Sequence, residues 1–257
     1  MRKLVATDYD GTLKYTNVVL EEDKQAIQKW KQEGNLFVID TGRSMESISE
    51  QASKYDLPVD YFITNNGGMV FNKDKEVLFS SYLDNETSFS IIEYIKTIPG
   101  VVSYVVNDGI IRHRIVLDDS LEEKRYPGLE PDLSEEEVLK MGNYAQIVIS
   151  MDTMEQAASL SKKINEMYSN TIVAYGNKYV VDVVVKGISK ATGLQFVVDY
   201  EKINMEDVYP IGDADNDIAL MEYNENGACM NSAQEEVKGH AKRFYNSVGE
   251  MIHTILG

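Results

Sequence analysis

Four short polar clusters hold the residues best suited to chemistry. The first, Asp8-Tyr9-Asp10-Gly11-Thr12, follows a short apolar run. In extended chain, carboxylates at i and i+2 project to the same side, so Asp8 and Asp10 are expected to share one ligand or metal. The second, Thr41-Gly42-Arg43, joins a hydroxyl and a flexible backbone to a helix start, whose free N–H groups favour an anion. Lys190 opens a helical stretch in GISKATGL, and Asp213-Ala214-Asp215-Asn216-Asp217 is a second acidic cluster on a strand-to-helix turn. Two acidic clusters, a lysine, a threonine and helix N-termini suit a hard cation and an anion bound together. Phosphate with Mg²⁺ fits best, because Mg²⁺ takes oxygen ligands, usually one or two carboxylates with substrate oxygens and water. The lack of paired Cys or His ligands argues against zinc. A phosphate dianion approaching Asp8 is repelled unless Mg²⁺ and Lys190 reverse the local field. Asp213, Asp215 and Asp217 mimic positions 1, 3 and 5 of a calcium loop, but Ile218 stands where the loop needs Gly and Asn224 where it needs Glu, so that reading fails. His113, His240 and His253 are far apart in sequence and suggest neither a triad nor a metal site.

The chain that must position these clusters has 257 residues, with 25 Lys+Arg against 42 Asp+Glu and a formal net charge of −17. Such a balance removes the electrostatic attraction that dominates nucleic-acid binding and disfavours an anionic membrane surface, so neither is an expected partner. Hydrophobic content of 43% with 26% charged residues is ordinary for a folded chain, and the length suits one large or two modest domains. Cys229 is the only cysteine and forms neither an internal disulfide nor a cysteine metal cluster. With no secretory h-region in MRKLVATDYDGTL and no unbroken membrane-length apolar segment, the expected location is a reducing cytoplasm.

Three segments, residues 3–12, 36–44 and 208–217, read as strand, polar loop and helix start, the pattern of α/β proteins. An amphipathic stretch over 20–33 ends at Gly34, a helix stop, and a helix over 45–55 leads to the strand YFIT at 61–64. Near-continuous apolar strands predict a parallel sheet covered on both faces. From about residue 83 the style changes to a helix over 84–97, strands either side of Asn107-Asp108-Gly109, a solvated polar stretch over 118–142, the strand YAQIVIS, a helix over 153–168, and two strands turning at Gly176-Asn177. Asp-Gly and Gly-Asn between alternating runs are hairpin signals, so an antiparallel α+β domain over 83–183 is expected, inserted in a first domain over 1–82 and 184–257.

The ordered set DYDGT at Asp8, TGR at Thr41, GISKATG around Lys190 and GDADND at Asp213 resembles the four signatures of the haloacid dehalogenase (HAD) superfamily, most like its Cof-type phosphatases. The resemblance spans the chain; MNSAQEEVKGHA at 230–241 also looks like the family's stretch after the fourth motif. Tyr9 and Ala191-Thr192 depart from the usual pattern, but neither is a reacting group. The resemblance implies a Rossmann-like parallel-sheet core with an inserted α+β, C2-type cap that closes over the site, and a Mg²⁺-dependent hydrolysis of small phosphorylated metabolites, sugar phosphates first among them. Asp8 is then the nucleophile, forming an aspartyl phosphate. Asp10 protonates the leaving alcohol and later takes a proton from water. This asks that Asp10 be protonated near neutrality, which crowding by other carboxylates and hydrogen bonding in the closed site favour and Mg²⁺ opposes. Mg²⁺ is held by the Asp8 carboxylate, the Asp10 backbone carbonyl and Asp213, with Asp217 behind them. Thr41, Gly42, Lys190, Asn216 and the Tyr9 backbone hold phosphoryl oxygens. Arg112 and Arg114, on one face of a cap strand, are candidates for substrate contact, and the protein is expected as a monomer or small homo-oligomer. The alternatives are a phosphotransferase or phosphomutase on the same scaffold, and a non-enzymatic Mg²⁺- and phosphate-dependent binding protein.

Overall fold

The computed structural model describes residues 2–257, which divide into two compact units, residues 2–79 with Ser189–Gly257, and Ser80–Ile188. In chain order the strands are β1 (Leu4–Thr7), β2 (Lys14–Tyr15), β3 (Val18–Val19), β4 (Leu36–Asp40), β5 (Tyr61–Thr64), β6 (Met69–Asn72), β7 (Val77–Ser80), β8 (Val101–Asn107), β9 (Arg112–Val116), β10 (Gln146–Met151), β11 (Ile172–Asn177), β12 (Val180–Val185), β13 (Val208–Gly212), β14 (Ala228–Met230) and β15 (Arg243–Tyr245). The helices are α1 (Glu21–Gln32), α2 (Met45–Lys54), α3 (Asn85–Ile95), α4 (Glu135–Met141), α5 (Met154–Met167), α6 (Lys190–Glu201), α7 (Ile218–Met221), α8 (Glu235–Lys238) and α9 (Val248–Leu256). None of the described helices is long and apolar enough to cross a membrane.

The first unit is built on a sheet in the order β15-β14-β13-β1-β4-β5-β6-β7. Pairing is parallel from β15 through to β5, and β6 runs antiparallel to β5. Every residue of β1, β4 and β5 is buried, as the unbroken apolar runs require of a sheet with helices on both faces. The register sets Thr7 beside both Ile39 and Ile211, so β1, β4 and β13 end level and deliver the first, second and fourth polar clusters to one edge. Helix α1 turns Asp23, Ala26, Ile27 and Trp30 inward at helical spacing, and the Trp30 indole N–H donates to the Leu36 carbonyl at 2.7 Å, tying the helix to the start of β4.

Helix α6 brings the third cluster to the same edge. Ser189 is its N-cap in a reciprocal capping box with Thr192, which leaves Lys190 in the first turn. Two glycines let the helix approach this closely. A Cβ on Gly193 would lie 2.3 Å from the Ile63 Cγ2, and one on Gly67, whose φ is +95°, would lie 1.9 Å from the Ser189 carbonyl oxygen.

The second unit is a five-stranded antiparallel sheet in the order β11-β12-β10-β8-β9. Helices α3 and α5 cover one face, packing Ile91, Ile92, Ile95, Leu160 and Ile164 on Tyr104, Val106, Ile147, Ile149 and Val183. Its limits differ from the sequence expectation because β12 runs on to Val185, paired with Ile172; a boundary at 183 would cut that strand. The β11–β12 turn also differs. Gly176 and Asn177 are still paired, with Val181 and Val180, and Lys178-Tyr179 makes the two-residue turn, with Lys178 at φ 53°. The Asn107-Asp108-Gly109 signal does mark a hairpin, in which Asn107 pairs with Arg112 and the Asp108 N–H donates to the Ile111 carbonyl.

The stretch before α4 is less solvated than its composition suggests. Tyr126 and Leu129 pack on Val105, Val148 and Val180, the sheet face opposite the helices. Arg114 anchors this cover: it is 9% exposed, donates to the Leu129 carbonyl at 3.1 Å and lies 3.5 Å from the Glu123 carboxylate. Arg112 lies over the Tyr126 ring, 5.6 Å from its centroid. The two arginines do share a face, but Arg114 has structural partners there, where substrate contact was expected.

Candidate active site

All the core candidates lie in the first unit, at the edge where β1, β4 and β13 end. At its centre Lys190, with no exposed surface, donates to Asp8 Oδ1 at 2.6 Å and to Asp217 Oδ1 at 2.5 Å. Asp217 is also fully buried, and its second oxygen accepts the backbone N–H groups of Asp213 and Ala214, each at 3.0 Å, so it fixes the loop carrying Asp213. Thr12 donates to Asp213 Oδ1 at 2.7 Å. Carboxylate oxygens of Asp8, Asp213 and Asp217 come within 4.8 Å of one another, an all-oxygen donor set that fits a hard divalent cation.

Asp10 is not in that group. Strand β1 ends at Thr7 and the chain turns after it, so the i, i+2 rule of extended backbone no longer holds. The Asp10 carboxylate instead makes a bidentate pair with Arg43, at 2.5 Å to Nε and 2.7 Å to Nη2, and Arg43 donates in turn to Ser47 Oγ at 2.9 Å. The group facing the Asp10 carboxylate is thus a guanidinium. Tyr9 turns its ring the same way: it lies under the Arg43 guanidinium, 5.3 Å from ring centroid to Cζ, and its hydroxyl donates to Gln51 Oε1.

The second cluster lies close by. Thr41 is 1% exposed, its Oγ1 accepts the Arg43 N–H at 3.2 Å, and its N–H donates to the Ile63 carbonyl. It does not cap α2, a role filled by Ser44. The Gly42 backbone meets a residue the sequence reading left unassigned: a Cβ there would lie 3.0 Å from Asn66 Oδ1. That same oxygen accepts the Asn216 side-chain N–H at 2.9 Å, so Gly42, Asn66 and Asn216 form one group. Asn66 is 1% exposed, sits at φ 54°, and its Nδ2 is buried without a hydrogen-bond partner among the described residues. An orphaned buried donor beside the predicted anion site is where a phosphoryl oxygen would be accepted.

Asp40 was also missed, because it closes an otherwise apolar strand. It is fully buried and neither carboxylate oxygen has a hydrogen-bond partner among the described residues. Burial pushes its carboxyl well above the usual range, an effect Lys190 opposes and Asp217 and Asp8 reinforce. Burial likewise raises Asp8, with Lys190 opposing and Asp217 and Asp213 adding, and raises Asp213 to about 6, with Asp217 adding. Burial alone would lower Lys190, but Asp217, Asp8 and Asp40 more than offset it and keep the ammonium charged.

These shifts set a pH dependence. A carboxyl whose folded pKa lies above its unfolded value stabilises the fold below the unfolded value, and the contribution is lost as pH rises through the folded one. Asp84, Glu123 and Glu137 are shifted downward, and what they contribute is complete by pH 5. In EDTA, the melting temperature should therefore fall between pH 5 and pH 7.5, by about 2–4 °C for each kcal/mol lost. Adding Mg²⁺ at pH 7.5 should recover it. Thermal melts at the two pH values check this, and a flat or rising profile in EDTA would contradict it.

Residues 5–250 match the family model of haloacid dehalogenase-like hydrolases. A curated relative, 5-amino-6-(5-phospho-D-ribitylamino)uracil phosphatase YitU of Bacillus subtilis, is 25% identical over 250 residues, which cover 93% of this chain and 90% of that protein. Among solved structures, a HAD/COF-like hydrolase from Plasmodium vivax superposes with a TM-score of 0.85 at 20% identity, covering 99% of this chain and 95% of that one. A HAD subclass IIB sugar phosphatase superposes with a TM-score of 0.81 at 21% identity, covering 99% and 98%. Four polar clusters on one sheet edge, the arrangement of their side chains and a match across nearly the whole length lead to one assignment: the chain belongs to the haloacid dehalogenase-like hydrolases.

Proposed function

We propose that this chain is a Mg²⁺-dependent phosphatase of small phosphorylated metabolites, working through an aspartyl phosphate on Asp8. The observation that carries the reading is the buried Lys190 bridging Asp8 and Asp217 beside Asp213, where one lysine and three carboxylates meet at the strand ends. Asp8, Asp213 and the Asp10 backbone carbonyl would hold the cation, with Asp217 fixing the Asp213 loop. When bound, the cation neutralises charge on the carboxylates and the phosphoryl oxygens.

Lys190, Thr41, the Gly42 amide, the Tyr9 backbone, Asn216 and Asn66 would orient the phosphoryl group. One Asp8 oxygen attacks phosphorus as the ester P–O bond breaks, and Asp10 gives its proton to the departing alkoxide. Water then attacks the same phosphorus, its proton passes to Asp10, and the bond to Asp8 breaks to release phosphate. Arg43 must yield its hold on Asp10 for that carboxyl to carry the proton, so Arg43 is part of the acid–base machinery.

Two relatives support a substrate with a hydroxylated carbon chain: one is named for a phosphorylated ribityl compound and one for sugar phosphates. The unit Ser80–Ile188 occupies the sequence position of the family's cap, and substrate choice is assigned to it, with Arg112 and Arg114 as the candidate contacts. The net charge of −17 supports a partner that is neither nucleic acid nor an anionic membrane, and the reading is completed by a cytoplasmic monomer or small homo-oligomer. The test is inorganic phosphate release from a panel of sugar phosphates, phosphorylated polyols and other phosphometabolites, with Mg²⁺ or with EDTA. Release that requires Mg²⁺ is expected. Silence across the panel with Mg²⁺ present would sink the reading, and conversion of substrate without phosphate release would point to transfer between sugars.

A further inference from the structure

Asp40 is an expensive residue with no structural use. A buried carboxyl without hydrogen bonds is unfavourable unless something compensates it, and an apolar side chain would suit this all-buried strand. Its place in the sheet is specific. Strand alternation puts Asp40 on the face of Leu36 and Val38, which pack with Leu194, Val197 and Val198 of α6, and both Lys190 and Asp8 act electrostatically on its carboxyl. Asp40 pairs in turn with Ile63, and Ile63 is the side chain against which Gly193 of α6 packs. Asp40 and Ile63 thus share the face that α6 covers, and Lys190 lies one helical turn before Gly193.

The hydrogen-bond inventory shows what an acid at that place can do. Lys190 has three N–H donors, and its two acceptors, Asp8 and Asp217, both belong to the three-carboxylate group that fits a cation. When Asp8 gives Oδ1 to a cation, Lys190 keeps Asp217 alone for its three N–H groups, and a buried ammonium cannot turn to water instead. Asp40 stands outside that group, on the Lys190 face, with both oxygens uncommitted among the described residues.

We propose that Asp40 is a positioning residue that holds the Lys190 ammonium when Asp8 turns its oxygen to a divalent cation and Asp217 is left as the only other acceptor. The proposal rests on the cation reading above. It makes Asp40 a fallback acceptor whose presence lowers the cost of cation binding, and it accounts for an uncompensated acid in the core.

The test is calorimetric titration of Mg²⁺ alone into the wild type, Asp40→Val and Asp40→Asn. Valine cannot accept an N–H, so Mg²⁺ should bind at least about tenfold more weakly; the asparagine amide oxygen can, so Asp40→Asn should stay within about threefold of wild type. Thermal melts in EDTA at neutral pH accompany each titration. Valine removes an uncompensated carboxyl from an apolar strand, so Asp40→Val should melt at or above the wild-type temperature, which separates weak binding from misfolding. Equal weakening in both variants would reduce Asp40 to a point charge and overturn the proposal, as would unchanged affinity in Asp40→Val. If the wild type itself binds no Mg²⁺, the cation reading fails and this proposal fails with it; wild-type binding with indifferent variants removes the proposal alone.

Discussion

Asp8→Asn should release phosphate at least about 10⁴-fold more slowly than the wild type on any substrate the panel identifies. Uncatalysed phosphate-monoester hydrolysis is among the slowest reactions that enzymes accelerate, and removing a nucleophile typically costs most of the chemical acceleration. Asparagine keeps the size of the side chain and an oxygen for Lys190, but its amide does not form the acyl phosphate. The fold should survive the change. Asp8 is 5% exposed and its carboxyl is raised chiefly by burial, so a neutral group in its place removes a desolvation cost as well as a charge. Near-wild-type melting with lost turnover is therefore the expected pair of results. Residual activity above about one per cent would place the nucleophile elsewhere, because no oriented water or phosphate-binding donor replaces covalent catalysis at that level.

That prediction depends on residues legible in the sequence, while others became visible only in the fold. The ends of β1, β4 and β13 could be read because each follows an unbroken apolar run, and a parallel sheet turns such runs into aligned polar ends. Side-chain direction at those ends could not. The rule that pairs Asp8 with Asp10 holds for extended chain, but the chain turns just past Thr7 and Arg43, distant in sequence, captures Asp10. Asp40 was hidden for a related reason: a single acid after Leu36-Phe37-Val38-Ile39 reads as the start of a loop, and only the fold shows it paired with Ile63 and beneath α6. Asn66 follows the YFIT strand without drawing notice, because its orphaned side-chain donor depends on a left-handed backbone that places it against Gly42. In the second unit, the Gly176-Asn177 signal lost to strand pairing that extends two residues further and leaves the turn to Lys178-Tyr179. Local chemistry was thus readable wherever backbone geometry was regular, and misread where the chain turned.

Lys190→Met should separate the electrostatics of the site from its chemistry. The ammonium is the cation between Asp8 and Asp217 in a fully buried position, and deleting one partner of such a pair leaves like charges facing one another. Breaking a buried pair in this way costs about 3–5 kcal/mol, which at about 2–4 °C per kcal/mol lowers the melting temperature in EDTA at pH 7.5 by roughly 10 °C. At pH 5 the drop should shrink, because Asp8, Asp40 and Asp213, all raised above their ordinary range, take up protons in place of the missing positive charge. Mg²⁺ should raise the melting temperature more in the variant than in the wild type, since the cation no longer competes with Lys190 for the same oxygens. Turnover should nevertheless stay at least about 10³-fold down even where Mg²⁺ has restored stability, because methionine donates no hydrogen bond to a phosphoryl oxygen. If activity instead returned in step with the melting temperature, Lys190 would be a structural counter-ion and the phosphoryl group would be held by Thr41, Asn66 and Asn216 without it. If Mg²⁺ stabilised the variant less than the wild type, Lys190 would be helping to assemble the cation site, and competition for Asp8 would be the wrong account of its hydrogen bond.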